Sequence, residues 1–337
     1  MTDGRPLRVG IVGTGAVAQL VHLPLCTERT DVEVAALADA DTGKASALAE
    51  RFEVDRVETT EALLRDDELD GVILCTPNHL HEAEAIAALE AGRHVLVERP
   101  LALTPEGCRR IADLAGERNR IAMVGMSHRF RPDVSALRGF VQGGELGTIY
   151  AGRVAWMNRY VPLRRTTWRQ NPSEAGGGAL MDLGVQSIDL LLWILGDPTI
   201  RRVTAVASRN ELEVDDAATL LLETEEGAAL TVEVSWTFFS REDRHYARVL
   251  GSEGAGSLPP LEIFKQLGGR PMDVTPEQSP PPGRRNRYMS AHRRQLDQFF
   301  RGIRGFADVE PPRDQARVME LIQAAYTSIE TGREVLL

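Results

Sequence analysis

The fold is decided by Leu7-Arg8-Val9-Gly10-Ile11-Val12-Gly13-Thr14-Gly15-Ala16-Val17-Ala18, close to the start of the chain. It begins with a largely apolar run typical of a buried strand, and the residues that follow, as far as Thr27, have the pattern of a helix. Gly13 allows a tight turn between them, Gly15 lets the backbone approach a pyrophosphate, and Ala18 lets the helix pack on the strand. A dinucleotide site at a helix N-terminus is therefore predicted. The residues assigned to it are Gly13, Thr14, Gly15, Ala16 and Val17.

Asp39 follows the second predicted strand, Val32 to Ala38, about twenty residues after the glycine turn. A carboxylate at this place accepts hydrogen bonds from ribose hydroxyls and repels a 2′-phosphate. No arginine follows it, and Lys44 is the nearby cation that would favour NADP. The sequence therefore predicts NAD rather than NADP as the cofactor.

Short apolar runs alternate with helical patterns over the first 125 residues, which is typical of a parallel sheet wound with helices. Further strands of this sheet are predicted at Gly71 to Cys75, His94 to Val97 and Ile121 to Val124. We therefore predict a Rossmann domain over residues 1–125, in a chain of the α/β class.

The pattern changes after Gly125. A long strand is predicted from Thr148 to Met157 and a largely buried helix from Gly178 to Leu195. Strand-like segments without intervening helices then follow, at Arg202–Ser208, Ala217–Glu223, Ala229–Thr237 and His245–Gly251. In the third of these, Ala229–Thr237, apolar and polar residues alternate, and this period of two indicates a sheet with one packed and one polar face. Residues 126–337 are therefore predicted to form an α+β domain with a mostly antiparallel, open sheet.

The end of the chain gives weaker signals. Residues 257–283 hold seven prolines and are interpreted as an irregular excursion. The basic run at Arg284-Arg285-Asn286-Arg287 is interpreted as a solvated loop, and a final amphipathic helix is predicted at about Arg313 to Thr331.

Composition excludes several classes of protein. The net charge of −10 argues against a nucleic-acid surface, and no apolar run approaches the roughly 18 residues of a membrane span. The polar start of the chain predicts no secretory leader. Cys26, Cys75 and Cys108 form no Cys-x-x-Cys pair, so reduced thiols and a cytoplasmic location are expected. No metal-binding motif is found, and none is predicted.

Several motifs occur in order along most of the chain. After the glycine turn they are Thr76-Pro77-Asn78-His79-Leu80-His81, Glu98-Arg99-Pro100-Leu101-Ala102, His128-Arg129-Phe130, Trp168-Arg169 and Gly176-Gly177-Gly178-Ala179-Leu180-Met181-Asp182-Leu183-Gly184-Val185-Gln186-Ser187-Ile188-Asp189. Together they resemble the glucose–fructose oxidoreductase/inositol dehydrogenase/MocA (Gfo/Idh/MocA) family. The resemblance implies NAD(P)-dependent hydride transfer to or from a hydroxyl or keto group of a sugar, cyclitol or related small molecule. It also implies a homo-oligomer formed through the C-terminal sheet.

The resemblance also implies site residues. The cofactor would be contacted by Thr76, Pro77, Asn78, His81, Glu98, Arg99 and Arg129, with Glu98 at the nicotinamide ribose. Thr76, Pro77 and Asn78 have an equally good interpretation as a strand-to-helix cap. Substrate would be bound by Trp168, Arg169, Asp182 and Gln186.

Two positions depart from the pattern of the family. Its usual Glu-Lys-Pro is Glu98-Arg99-Pro100 here, and its usual histidine, four residues after Asp182, is Gln186. Arginine is effectively always protonated and glutamine does not titrate, so neither replaces a general base. Arg99, Asp182, Gln186 and Tyr160 are the candidate catalytic residues, and His128 is a further candidate for proton transfer.

Three functions fit a chain that has the motifs of the family but Arg99 and Gln186 at two usual catalytic positions. The first is an oxidoreductase with a non-standard proton relay. The second is an NAD(H)-binding sensor or partner subunit without dehydrogenase activity, and the third is an enzyme that uses the nicotinamide in a redox-neutral cycle.

A basic segment contains Arg159, Arg164, Arg165 and Arg169. It either recognises an acidic substrate or is a solvated loop.

Overall fold

The computed structural model describes residues 4–161, 167–210, 212–277 and 284–337, with the side chains of 284–286 excepted. The chain divides into two compact units. Unit 1 consists of Met1–Gly125 and Tyr288–Ala316, and unit 2 of Met126–Arg287 and Arg317–Leu337. The predicted second domain, 126–337, therefore needs correction, because Tyr288–Ala316 belongs with the first unit.

The strands are β1 (Leu7–Val12), β2 (Val32–Ala38), β3 (Arg56–Glu58), β4 (Gly71–Leu74), β5 (His94–Val97), β6 (Ala122–Val124), β7 (Ile149–Arg159), β8 (Ile200–Ser208), β9 (Ala217–Thr224), β10 (Ala229–Phe238), β11 (Arg244–Gly251), β12 (Gly254–Leu258), β13 (Glu262–Leu267), β14 (Arg270–Asp273) and β15 (Val335–Leu336).

The α-helices are α1 (Leu23–Thr27), α2 (Thr42–Phe52), α3 (Thr60–Arg65), α4 (His81–Glu90), α5 (Pro105–Glu117), α6 (Pro132–Gln142), α7 (Pro172–Ala175), α8 (Val185–Leu195), α9 (Arg284–Ile303) and α10 (Asp314–Thr331). Turns of π-helix at Ala18–His22 and Leu180–Gly184 precede α1 and α8, and 3₁₀ turns occur at Asn78–Leu80, Ser127–Phe130 and Trp168–Gln170.

Unit 1 contains a parallel sheet in the order β3-β2-β1-β4-β5-β6. This order is that of a dinucleotide-binding Rossmann domain, so the predicted fold of the first half is confirmed. In a parallel sheet all strands end at the same edge. The carboxyl ends of β1, β2, β4 and β5 therefore bring Gly13, Asp39, Thr76 and Glu98 to one edge of the sheet.

Helix α9 completes unit 1. Leu296, Phe299, Phe300 and Ile303 form an apolar stripe at helical spacing, and both phenylalanines are fully buried. The guanidinium of Arg29 lies 5.3 Å from the Phe300 ring centroid. The predicted loop over residues 284–287 is therefore wrong, because α9 begins at Arg284. Its basic first turn precedes the apolar stripe and conceals the start of the helix.

Unit 2 contains a nine-stranded sheet in the order β14-β13-β12-β11-β7-β10-β9-β8-β15. The neighbours β7 and β10 are parallel and the other pairs are antiparallel, so the predicted mostly antiparallel sheet is confirmed. Helix α8 packs on one face. A side chain on Gly152 of β7 would meet Leu191 of α8 at 3.1 Å.

The proline-rich stretch is more ordered than predicted. Strands β12, β13 and β14 form an antiparallel meander at the edge of the sheet. Pro259 and Pro260 lie in the turn before β13, and Pro271 lies in the edge strand, where a missing N–H is tolerated. The prediction of an irregular segment is therefore wrong as far as Asp273. Residues 278–283, with the prolines 280–282, lie outside the described residues.

The helical stretch Pro172–Leu195 is long and apolar enough to cross a membrane by composition. In this structure 83% of its most apolar window is buried inside the protein. It is the buried helix predicted from Gly178 to Leu195, and the burial is that of a core helix.

Candidate active site

The glycine turn after β1 is built by close backbone packing. Gly13 has φ of +85°, and a Cβ there would lie 2.6 Å from the carbonyl carbon of Cys75. Its N–H donates to the carbonyl of Ala38 at 2.8 Å. Within the described part of the chain, nothing lies within 4 Å of a Cβ placed on Gly15. The two glycines therefore have different roles. Gly13 lets the turn pack against the backbone of Cys75 and Thr76, and Gly15 leaves the backbone accessible to a phosphate.

Asp39 anchors this turn. Its Oδ2 accepts hydrogen bonds from the Thr14 N–H at 2.6 Å and from the Thr14 hydroxyl at 2.8 Å. Lys44 Nζ lies 2.9 Å from the same oxygen. Burial raises the pKa of Asp39, but hydrogen bonds from the Asp41 and Thr14 N–H groups, Lys44 and the Thr14 hydroxyl outweigh it and lower the pKa. Asp39 is therefore ionised, and Lys44 neutralises this carboxylate instead of standing apart as a phosphate ligand.

The loop after β4 is anchored by Thr76. The Thr76 hydroxyl donates to Glu84 Oε2 at 2.5 Å. Burial raises the pKa of Glu84 to about 7, against the lowering effect of this hydrogen bond. Pro77 precedes the 3₁₀ turn that Asn78 begins, and Asn78 is buried. Pro77 occupies the N-cap position without a side-chain hydrogen bond, so Thr76 fixes the loop through Glu84 rather than by capping the turn, and contact of the loop with the cofactor stays a prediction.

His81 has a role that differs from the prediction. Its Nδ1 lies 2.7 Å from the Pro100 carbonyl oxygen and its Nε2 lies 2.9 Å from that of Thr76. The ring is buried, and burial lowers its pKa despite these two carbonyls. Both nitrogens are engaged by main chain, so His81 joins the loops after β4 and β5 and does not present a ring nitrogen to the cofactor.

Glu98 ends β5 and is held on two sides. His22 Nε2 lies 2.8 Å from Glu98 Oε1, and a Cβ on Gly125 would lie 2.9 Å from Oε2. Burial alone would raise the pKa of Glu98. The hydrogen bond and electrostatic effect of His22, with those of His292 and Arg99, lower it to about 2. Glu98 is therefore a carboxylate, and Arg99 follows it in the chain.

Arg129, which is predicted to contact the cofactor, forms an ion pair with Asp189. Its Nε donates to Asp189 Oδ2 at 2.8 Å, and its Nη2 pairs with Asp189 Oδ1. Asp189 is buried on α8, where a carboxylate requires such a partner. The guanidinium fork therefore ties the 3₁₀ turn Ser127–Phe130 to α8 within unit 2, and its contact with the cofactor stays a prediction.

Asp182 is placed by the glycine-rich segment before α8. The buried Asp215 accepts hydrogen bonds from the N–H groups of Gly178 at 2.9 Å and Leu180 at 2.7 Å. A side chain at Gly178 would collide with the backbone of Asp215, which explains a glycine there. The π-helical turn that follows presents Asp182, whose Oδ2 accepts from Trp236 Nε1 at 3.0 Å.

Gln186 lies one turn after Asp182 and is only 4% exposed. The main-chain carbonyl oxygen of Gln186 lies 3.2 Å from His128 Nε2. Its side-chain Nε2 is buried, and no described residue accepts a hydrogen bond from it. A buried amide donor without a protein partner is costly, so this position fits a bound hydroxyl group.

Sequence reasoning missed an aromatic row across three neighbouring strands. Trp236 of β10, Trp156 of β7 and His245 of β11 belong to adjacent strands of the sheet. The rings of Trp156 and His245 stack with centroids 4.1 Å apart, and His245 Nε2 lies 3.3 Å from Asn158 Oδ1. His128 approaches Trp156 at 5.6 Å. The detectable signal was the alternation along β10 and β7, which places these residues on the face that α8 covers.

The remaining predicted residues lie at the surface. Tyr160 is 40% exposed and packs on Phe239, with ring centroids 4.8 Å apart. The Arg169 guanidinium lies 4.4 Å from the Trp168 ring centroid, in a 3₁₀ turn capped by Thr167. Arg164 and Arg165 lie outside the described residues. Among the residues described, no group of three or more His, Cys, Asp or Glu side chains could hold a metal ion.

Comparison with known proteins agrees with this geometry. Residues 7–126 match the Gfo/Idh/MocA oxidoreductase family, NAD-binding Rossmann fold, and residues 134–256 match the Gfo/Idh/MocA C-terminal domain. D-glucoside 3-dehydrogenase of Escherichia coli (strain K12) is 30% identical over 98% of each chain. Inositol 2-dehydrogenase 2 of Saccharopolyspora erythraea is 29% identical over 79% of this chain and 78% of its own.

A solved structure is similar over the whole length. GenD2 from gentamicin A biosynthesis, in complex with NAD, is 29% identical with a TM-score of 0.85, covering 99% of this chain and 97% of that one. The ordered Rossmann sheet, the glycine turn held by Asp39 and the matching second domain lead to one conclusion. The chain is an NAD-binding oxidoreductase that belongs to the Gfo/Idh/MocA family.

Proposed function

We propose that the protein oxidises a secondary hydroxyl group of a sugar or cyclitol, or reduces the matching ketone, with NAD(H). The observation that carries the proposal is the polar and aromatic surface of unit 2. Asp182, which contacts the Trp236 ring, and the unpaired amide of Gln186 can form hydrogen bonds with hydroxyl groups, and the Trp156 ring lies on the neighbouring strand. Sugars combine hydroxyl groups with apolar C–H faces, which such a surface suits. The names of D-glucoside 3-dehydrogenase and inositol 2-dehydrogenase 2 support this substrate class.

The proton acceptor proposed for this reaction is His245. Unit 2 holds two histidines, and the Nε2 of buried His128 already faces the Gln186 carbonyl. His245 is half-buried, is held by Trp156 and Asn158, and carries an imidazole, the side chain that most often serves as a general base in enzymes. In this scheme Asp182 holds the reacting hydroxyl and His245 accepts its proton. Arg99, which follows Glu98 in unit 1, carries a guanidinium group and cannot act as a general base. Bound NAD supplies the hydride acceptor.

The reaction is tested by absorbance at 340 nm with NAD and a panel of glucosides, xylose, levoglucosan and myo-inositol. We expect NADH to form with at least one member, and NADH to be consumed with the matching keto compound. Comparing the rates with glucuronate and with glucose tests whether the basic segment recognises an acidic substrate. Firm NADH binding with no turnover across the panel would contradict the proposal and favour a sensor or a partner subunit. Turnover of a sugar without net NADH would favour the redox-neutral cycle.

A homo-oligomer through the open face of the unit 2 sheet is also proposed. Val206 of β8 and Leu221 of β9 are 67% and 51% exposed, and they alternate with buried neighbours in their strands. We expect light scattering to give a dimer or larger species for the wild type and a smaller mass for Leu221→Arg. Phe306→Arg, at an exposed apolar residue of unit 1, is the control and leaves the mass unchanged. A monomeric wild type, or an unchanged mass for Leu221→Arg, would refute the proposal.

A cytoplasmic location is proposed on the state of the cysteines. Cys26, Cys75 and Cys108 are free thiols, and the first and third are buried. Free thiols fit a reducing compartment. The net charge of −10 supports a small molecule rather than nucleic acid as the partner.

A further inference from the structure

Unit 1 buries a cluster of ionisable side chains around Glu98. His22 is fully buried and His292 is 3% exposed, while the side chain of Glu98 is 14% exposed. His22 comes from the π-helical turn before α1, and His292 and Tyr288 come from α9. The proposed reaction gives none of these three residues a role, although they surround a carboxylate at the ligand-binding edge of the sheet.

The contact between His22 and Glu98 has a fixed direction. Glu98 is ionised and can only accept a hydrogen bond, so His22 Nε2, at 2.8 Å from Oε1, must donate. His22 Nδ1 is buried, and no described residue is its hydrogen-bond partner. A buried imidazole with one nitrogen unpartnered would pack better as an apolar side chain if it served the core alone. The contact with Glu98 therefore accounts for a histidine at this position.

A second layer holds His22 in place. The His292 ring meets the His22 ring edge to face, with centroids 6.4 Å apart and planes at 82°. His292 Nδ1 lies 3.0 Å from the Tyr288 carbonyl oxygen, and the Tyr288 ring packs on His292 at 4.3 Å. On the opposite side of Glu98, Gly125 leaves no room for a side chain. The carboxylate is thus confined, with Oε1 engaged by His22 and Oε2 left as an acceptor.

We propose that His22, supported by His292, is a positioning residue that aims Oε2 of Glu98 at the ribose hydroxyls of the nicotinamide half of NAD(H). A ribose diol donates hydrogen bonds, and a carboxylate fixed in one orientation accepts them without first losing rotational freedom. The inference rests on cofactor binding by unit 1 and does not depend on which substrate is oxidised.

The test is a double-mutant cycle read by NADH fluorescence titration. Glu98→Gln is expected to weaken NADH binding about tenfold, and His22→Leu by a similar factor. Because His22 acts through Glu98, the double variant is expected to stay near tenfold instead of reaching about a hundredfold. His22→Gln keeps an N–H donor and should restore most of the affinity.

Controls separate positioning from a general loss of structure. His94→Gln removes an imidazole from the other end of β5, and we expect its NADH affinity to equal that of the wild type. Thermal unfolding without cofactor shows whether each variant is folded. Wild-type affinity in His22→Leu, or independent effects of the two substitutions, would overturn the proposal. Should His22→Leu fail to fold, wild-type affinity in Glu98→Gln, or no better affinity in His22→Gln than in Glu98→Gln, would overturn it equally.

Discussion

Replacing Gly13 with alanine is expected to weaken NADH binding by more than tenfold and to lower the free energy of unfolding by about 1–3 kcal/mol. The reason lies within unit 1. Gly13 has φ of +85°, and the new methyl group would lie 2.6 Å from the carbonyl carbon of Cys75 and 2.7 Å from the Thr76 nitrogen. The turn after β1 and the loop after β4 cannot both keep their places. Fluorescence titration and chemical denaturation without cofactor measure the two effects.

Gly15→Ala is the matched control for this prediction. The same methyl group at Gly15 meets nothing within 4 Å among the described residues, and Gly15 has no positive φ. We expect the free energy of unfolding to stay within about 0.5 kcal/mol of the wild type. NADH binding should still weaken, because the methyl group occupies the space through which the backbone approaches a phosphate. Equal destabilisation by the two variants would refute the division of tasks between these glycines.

His245→Asn is expected to lower kcat by about 10² to 10³, the range in which a general base contributes. Asparagine keeps a polar side chain next to Asn158 and Trp156 but cannot accept a proton at neutral pH. The substrate is whichever panel compound gives the highest rate with NAD. We expect KM and the NADH dissociation constant to change little.

Adding Gln186→His to His245→Asn tests whether an imidazole at position 186 can replace His245 as the proton acceptor. An imidazole at Gln186 would lie one helical turn from Asp182, so partial recovery of kcat is expected. Trp156→Phe is a companion that retains an aromatic ring beside His245 and should raise KM more than it lowers kcat. An unchanged kcat in His245→Asn would refute its role and return the proton transfer to Asp182, Tyr160 or His128.

The Rossmann half could be predicted because its signals are local. A single βαβ unit contains the strand, the turn at Gly13 and Gly15, and Asp39. The geometry of this unit therefore explains which residue type occurs at each of these positions. The same locality allows the sequence to place Asp182 and Gln186 one turn apart on consecutive helical segments, while their roles toward a substrate stay predictions.

Other parts of the site depend on pairs that are distant in sequence. Glu98 and His22 are 76 residues apart, and Arg129 and Asp189 are 60 apart. The sequence marks the residue types but not the partner, so it does not reveal that Asp189 pairs with Arg129 or that two main-chain carbonyls engage His81. His245 escaped notice because a histidine in a strand has no spacing signal, and its stacking on Trp156 depends on strand register.

Helix α9 has a consequence for synthesis of the protein. The ribosome releases β1 to β6 long before it makes Phe299 and Phe300, which are fully buried in unit 1. Domains ordinarily fold from the N-terminus as they emerge. Here the nascent cofactor domain must wait with an uncovered apolar surface, around Gly71 and Ile121, until Gly302 and Ile303 arrive to cover it. Nonsense truncations before α9 would therefore yield chains that chaperones and proteases recognise, even though all six strands of the parallel sheet are already present.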